Sequence, residues 1–194
     1  MQFYSSIGAM VDMSIGPLSG LMLQHMVLMN LVVPGLIYVL RPTVPTIICR
    51  NWPLATATQL VLLWGWHSPP ALESAMSSPM IMLAMGASLT GAAAWFWLAI
   101  YATPADGRWR AIFALLVTGK LFCLLGALLV FAPRSLFGAM MRGSHAVFMS
   151  DSLADQQLAG LVMLVVCPLI YITAGLVLAS RWFLRMEAES RAGG

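Results

Sequence analysis

The chain has 194 residues, of which 60% are hydrophobic and only 9% are charged. A soluble domain usually carries about 25% charged and about 45–50% apolar residues, so this composition excludes an ordinary soluble domain. The net charge of +3 comes from scattered residues without any Lys/Arg-rich run, which argues against a nucleic-acid-binding protein. The composition instead predicts a protein that lies within a lipid bilayer.

Five apolar stretches are long enough, or nearly so, to cross a bilayer, which takes roughly 20 helical residues. Each stretch ends at a proline or a charged residue, and none alternates in the manner of a strand. We therefore predict an all-α integral membrane bundle of about five transmembrane helices in a single membrane domain. The predicted spans are residues 17–40, 53–66, 79–101, 109–131 and 158–183.

Arginines predict the orientation of these spans. Positively charged residues concentrate in connections on the cytoplasmic side of a membrane. The first and third connections and the C-terminal tail hold most of the bases, namely Arg41, Arg50, Arg108, Arg110, Arg181, Arg185 and Arg191. This distribution predicts a cytoplasmic C-terminus, with the N-terminus and the 132–157 connection on the outer side.

All three histidines fall toward that predicted outer side. His25 lies about two turns into the first span, His67 closes the second, and His145 lies in the 132–157 connection. Ionisable residues at depth in a bilayer are costly and point to function. Structural roles are the alternative: a hydrogen-bonded His25, a helix-capping His67 and a solvated His145.

Methionines border the first of these histidines. Met22, Met26 and Met29 share one face of the first span, and His25 flanks Met22 and Met29 at helical spacing. Met163 lies on the fifth span, one turn after Gly160, a glycine that would let a neighbouring helix approach closely. Imidazole and thioether donors together suit copper(I), although methionine also fills apolar cores without any further role.

Other residues narrow the possibilities further. Cys49, Cys123 and Cys167 have no paired spacing, and the last two are expected to behave as small hydrophobic residues. Lys120 lies in the middle of the fourth span without an acidic residue at similar depth. Its side chain either extends toward the interface or contacts a carboxylate or propionate of a partner protein. No enzyme motif is present, so we expect a carrier or scaffold rather than an enzyme.

Four motifs in order resemble the CtaG family, the cytochrome c oxidase assembly factors of the caa-oxidase type. They are LMLQHMVLMNLVVPGL (21–36), WGWHSPPALESAM (64–76), FAPRSLFG (131–138) and SLADQQLAGLVM (152–163). Members of this family have more helices than the five predicted here, so the chain is expected to be N-terminally shortened. By motif position, the family histidines correspond to His25 and His67, and the acidic and amide motif to Asp155, Gln156 and Gln157.

The chain also departs from the family pattern at two places. Leu21 stands where many members have a further histidine, and the apolar run from Met82 to Met85 stands where many have a Glu-His pair. A site without these residues favours an alternative function. In that case the chain is a non-catalytic subunit of a respiratory oxidase complex, built on the same scaffold.

The leading hypothesis is an assembly factor or accessory protein that handles copper for a haem-copper oxidase at the periplasmic face of a bacterial inner membrane. Copper would lie between the outer parts of spans one, two and five. The expected ligands are His25, His67, Met22, Met29 and Met163. The motif Asp155-Gln156-Gln157 would orient a histidine, and Lys120 would contact the oxidase. A small-solute or copper transporter is the third possibility.

The predicted orientation leads to a direct test. Reporter fusions placed after Phe183 and within residues 134–150 should report opposite sides of the membrane, because a single span separates these positions. The same side for both fusions would contradict the five-helix arrangement.

Overall fold

The computed structural model describes residues 16–40, 42–43, 45, 47, 51–136 and 149–192. Over these residues the fold is all-α, without strands, which confirms the predicted fold class. The α-helices are α1 (Pro17–Val27), α2 (Val33–Leu40), α3 (Trp52–Trp66), α4 (Pro69–Ser77), α5 (Pro79–Tyr101), α6 (Arg108–Phe131) and α7 (Met149–Ala192). A π-helical segment, Leu28–Val32, joins α1 to α2, and a 3-10 turn, Ala105–Gly107, precedes α6.

Four continuous helical stretches within the described chain are long and apolar enough to cross a membrane. They are Leu18–Leu40, Pro79–Tyr101, Ala105–Phe131 and Leu153–Arg191. Three of them correspond closely to predicted spans. The side of the membrane that each end faces stays a prediction.

The second and fifth predicted spans differ from the observed helices. Residues 53–66 correspond to α3, which has 15 residues and falls short of the roughly 20 needed to cross. Pro69 follows the end of α3 and begins α4, because a proline lacks only an N–H that is unpaired anyway in a first turn. Residues 158–183 lie inside the 44-residue α7, which extends beyond the predicted span at both ends.

The first span changes its hydrogen-bonding pattern near its middle. Pro34 has no N–H to donate back to the preceding turn, and the π-helical segment lies directly before α2. The indole Nε1 of Trp97 on α5 donates instead to the carbonyl of Met29, at 3.0 Å. This bond satisfies a backbone acceptor in the bilayer and ties the first span to α5.

A buried tyrosine joins four helices at the centre of the bundle. Its hydroxyl, on Tyr171 of α7, accepts a hydrogen bond from Nε2 of Gln59 on α3 at 3.0 Å. Its ring stacks on Trp97 of α5 at 5.8 Å and meets the edge of Phe122 of α6 at 5.5 Å. The core is therefore a continuous contact network across α3, α5, α6 and α7.

Two glycines allow α6 and α7 to cross at close range. A Cβ added at Gly160 would lie 2.7 Å from the carbonyl oxygen of Gly126 and 2.8 Å from Cβ of Leu129. A Cβ at Gly126 would meet the carbonyl oxygen of Gly160 at 2.9 Å. This geometry confirms the role expected of Gly160, and it places Met163 beside the crossing.

The crossing predicts a position-specific effect of adding one methyl group. Gly160→Ala should destabilise the purified protein by about 1–3 kcal/mol, because backbone atoms of α6 cannot move aside cheaply. Thermal unfolding in detergent measures the change. Gly175→Ala is the matched control, since it lies on the same helix and no atom of the described residues comes within 4 Å of an added Cβ. Equal melting temperatures for the two variants would contradict the close crossing.

Candidate functional site

The candidate site lies at the Asp155 end, defined here as the end of the bundle that holds Gly16, His67 and Asp155. The first turn of α1, the turn between α3 and α4, and the early turns of α7 meet there. Asp155 and His67 are both buried, with 8% and 7% of their surfaces exposed. Buried polar groups at a membrane-protein helix end need specific partners, and these partners define the site.

Asp155 caps the first helix from across the bundle. Its two carboxylate oxygens accept hydrogen bonds from the backbone N–H groups of Leu18 and Ser19, at 2.9 and 3.0 Å. The first N–H groups of a helix have no partner within the helix, and the positive end of its dipole favours an anion. Gly16 is required beside this contact, because a Cβ there would overlap the carboxylate.

Gln156 joins the same helix to the end of α6. Its Nε2 donates to the carbonyl of Leu129 at 3.1 Å, and its Oε1 accepts from the N–H of Leu136 at 2.8 Å. Gln157, the next residue, is exposed. In the described part of the chain, neither Asp155 nor Gln156 is hydrogen-bonded to a histidine. Their described partners are backbone groups at helix ends, and the orientation of a histidine by this motif stays a prediction.

His67 points one ring nitrogen at a methionine of α1. Its Nδ1 lies 2.7 Å from the carbonyl of Leu63, which makes Nδ1 the protonated nitrogen. Burial lowers the pKa of His67 to about 4, so the ring is neutral near pH 7. The Nε2 lone pair then faces the Sδ atom of Met22, only 3.0 Å away.

His25 repeats this arrangement one turn after Met22. Its Nδ1 lies 2.7 Å from the carbonyl of Leu21, so its Nε2 is also the nitrogen left for another partner. The ring is buried, at 7% exposure, and it is close enough to His67 for charges on the two rings to interact. Both imidazoles therefore bind a carbonyl of their own helix through Nδ1 and leave Nε2 as an acceptor.

A second sulfur contact lies one turn deeper and was not anticipated as part of the site. The Cys167 thiol donates to Sδ of Met26 at 3.1 Å, and Nδ2 of Asn30 lies 3.5 Å from the same sulfur. From the sequence, Cys167 is expected to behave only as a small hydrophobic residue. The signal that could have found it is its four-residue spacing from Met163, which matches that of Met26 from Met22.

The other expected residues have less direct positions. Met29 and Met163 are fully buried in the same core, and Met29 lies about 10 Å along the helix axis from Met22. Their participation in a metal site stays a prediction. His145 lies outside the described residues. Lys120 is exposed on α6, on the same face as Leu116 and Leu124.

The donor atoms determine which metal fits. Across the residues that the structure describes, no three His, Cys, Asp or Glu side chains lie close enough to hold an ion together. A zinc site of the usual kind takes three or four such ligands, and the described residues do not bring that number together. Neutral imidazole nitrogen beside thioether sulfur suits copper(I), a soft ion.

Comparison with known proteins adds one match that covers most of the chain. The family model for the cytochrome c oxidase caa3 assembly factor (Caa3_CtaG) matches residues 5–185. No curated protein and no solved structure matches the chain significantly. The match agrees with the resemblance carried by the four sequence motifs.

The capping geometry predicts the effect of removing the Asp155 carboxylate. Asp155→Ala should lower stability by about 1–2 kcal/mol, because two N–H groups of α1 lose their acceptor. Asp155→Asn should recover part of the loss, since asparagine also accepts at a helix N-terminus. Thermal unfolding measures both changes, with Gln157→Ala as the exposed neighbouring control. An unchanged melting temperature in Asp155→Ala would contradict the capping role.

Proposed function

The chain belongs to the cytochrome c oxidase caa3 assembly factor family, and we propose that it handles copper(I) for a haem-copper oxidase. The proposed place is the periplasmic face of a bacterial inner membrane. The protein acts there as a carrier or accessory protein and not as an enzyme. The Asp155 end of the bundle is its outer end in this proposal, in agreement with the arginine distribution.

The observation that carries the copper proposal is the contact between His67 and Met22. A neutral imidazole with its Nδ1 proton on a carbonyl has only a lone pair at Nε2. The thioether sulfur of Met22 also offers only lone pairs. Two lone pairs that face one another at 3.0 Å do not attract, whereas a soft cation beside both would bind each of them.

The surroundings of this pair favour transfer over permanent storage. The ligands are neutral, so a bound copper(I) ion would bring an uncompensated positive charge into a buried place. Such a site releases its ion readily, which a carrier requires. His25 supports the same function. It lies one turn after Met22 on α1, and its Nδ1 also binds a carbonyl of its own helix, so its Nε2 also has a free lone pair.

The structural-subunit hypothesis is the second candidate. It is favoured by the absence, within the described ranges, of any His/Cys/Asp/Glu cluster of metal-binding size. It is also favoured by Asp155 and Gln156, whose described partners are all backbone groups. Metal content separates the two candidates, because a purely structural subunit retains no copper. A transporter of copper or small solutes stays a third and weaker alternative.

Lys120 supports an oxidase subunit as the partner. It lies 12 residues from Arg108 and 11 from Phe131, which is about 17 Å from either end of α6 and close to the bilayer centre. Its side chain is exposed beside Leu116 and Leu124, and it forms no ion pair within the described chain. A partner carboxylate or haem propionate at this depth would neutralise its charge.

The copper proposal predicts a selective loss in His67→Ala. Protein purified from copper-supplemented cells should retain less copper in this variant than in the unaltered protein, because Nε2 is the nitrogen beside Met22. Metal analysis measures the copper-to-protein ratio. Thermal unfolding should show a folded protein, since within the described ranges the imidazole bonds to the backbone only at Leu63 of its own helix.

Two variants give this experiment its controls. Met22→Leu keeps the volume of the thioether and removes its sulfur, so it should also retain less copper. His145→Ala should retain copper as the unaltered protein does. Copper retained equally in His67→Ala and the unaltered protein would contradict the proposed site and favour the structural-subunit hypothesis.

Lys120 leads to a separate prediction about the partner. Lys120→Met should reduce co-purification with haem-copper oxidase subunits several-fold, because it removes the charge and keeps the length of the side chain. Lys120→Arg should preserve the association. Quantitative comparison of oxidase subunits after gentle detergent purification tests this. Equal recovery with Lys120→Met would show that the contact does not depend on charge.

A further inference from the structure

Two buried sulfur atoms form a contact that the proposed site does not use. Cys167 of α7 and Met26 of α1 have no exposed surface, and the thiol donates to the thioether at 3.1 Å. Thiolate and thioether are both ligands that copper(I) prefers. The contact joins the first and last spans.

Asn30 gives an independent indication that this place takes a ligand. Its side chain is 2% exposed, and its Nδ2 lies 3.5 Å from Sδ of Met26. Among the residues that the structure describes, its Oδ1 has no hydrogen-bond partner. A buried amide oxygen without a partner is costly in an apolar environment, so a polar or cationic species beside it would remove a penalty.

The register of the two helices relates this contact to the first one. Asp155 binds Leu18, and Cys167 contacts Met26, so α1 and α7 run in the same direction. Met22 and Met26 are four residues apart, as are Met163 and Cys167. One turn, about 6 Å along the axis, therefore separates two levels of sulfur ligands on both helices.

We propose that Cys167 and Met26 form a second copper(I) site, one helical turn deeper than the His67–Met22 pair, and that copper passes from the outer pair to the inner one. This inference rests on the proposed function. On binding, a Cu–S bond forms at Cys167 as its S–H bond breaks, and the thiol proton passes to the outer aqueous phase, from which copper(I) enters. A monovalent cation replaces a proton, so the net charge of the buried site does not change.

Charge balance predicts a difference in affinity between the two sites. At His67 and Met22 the ligands are neutral, and a bound ion adds a positive charge to a buried place. At Cys167 the thiolate cancels that charge, and Met26 supplies a second sulfur. The inner site should therefore hold copper(I) more tightly, while the outer site exchanges it with the surroundings.

The test is an anaerobic titration of the full purified chain with copper(I) against a coloured copper(I) chelator. The unaltered protein should bind two equivalents and should develop the ultraviolet absorption of a copper(I)–thiolate bond. Cys167→Ser should bind one equivalent without that absorption. Cys123→Ser, which removes the half-buried thiol of α6, should behave as the unaltered protein does.

Further variants separate the two hypotheses. Met26→Leu keeps Cys167 and should weaken binding of the second equivalent by tenfold or more. One equivalent in both the unaltered protein and Cys167→Ser, lost in His67→Ala, would overturn the inner site and leave the proposed function standing. Binding in His67→Ala that equals the unaltered protein would overturn the outer site and the proposed function. Thermal unfolding of each variant ensures that only folded protein is compared.

Discussion

The carboxylate of Asp155 fixes where the first span begins relative to the last one. It accepts two backbone N–H groups of the first turn of α1, where both the unpaired donors and the helix dipole favour an anion. Gln156, beside it, binds the carbonyl of Leu129 near the end of α6. These contacts set the register of three helices at one end, and the levels of Met22 and Met26 against α7 depend on that register.

The bilayer limits which chemistry such a site can contain. Charged ligands are expensive at depth, and every backbone polar group needs a partner within the protein. Both buried histidines meet this condition by binding a carbonyl of their own helix through Nδ1. The same bonds leave Nε2 as an acceptor, and sulfur atoms are the neighbours that a dry interior tolerates best. Neutral nitrogen and sulfur donors therefore cost less free energy to bury in the membrane than charged ligands do. The same donors favour copper(I) over harder ions.

The sequence predicts the apolar spans and their breaks well, because hydrophobicity and proline act locally. It fails where a residue's partner lies on another helix. In the sequence, Asp155 and Gln156 resemble polar residues that precede the last span. In the structure they lie inside α7, where they bind backbone groups of α1 and α6. Pro69 predicts the end of a helix, but its position in a first turn also allows a new one. For Cys167 the sequence offers only the four-residue spacing from Met163, and its contact with Met26 depends on the crossing of α1 and α7.

X-ray absorption at the copper edge tests the central claim most directly, because it reports the atoms bound to the ion. The purified chain, loaded anaerobically with copper(I), should show a mixed shell of nitrogen and sulfur. His67→Ala should remove the nitrogen contribution and keep a sulfur contribution. A shell of oxygen and nitrogen alone, unchanged in His67→Ala, would show that copper binds elsewhere and would contradict a site made by His67 and Met22.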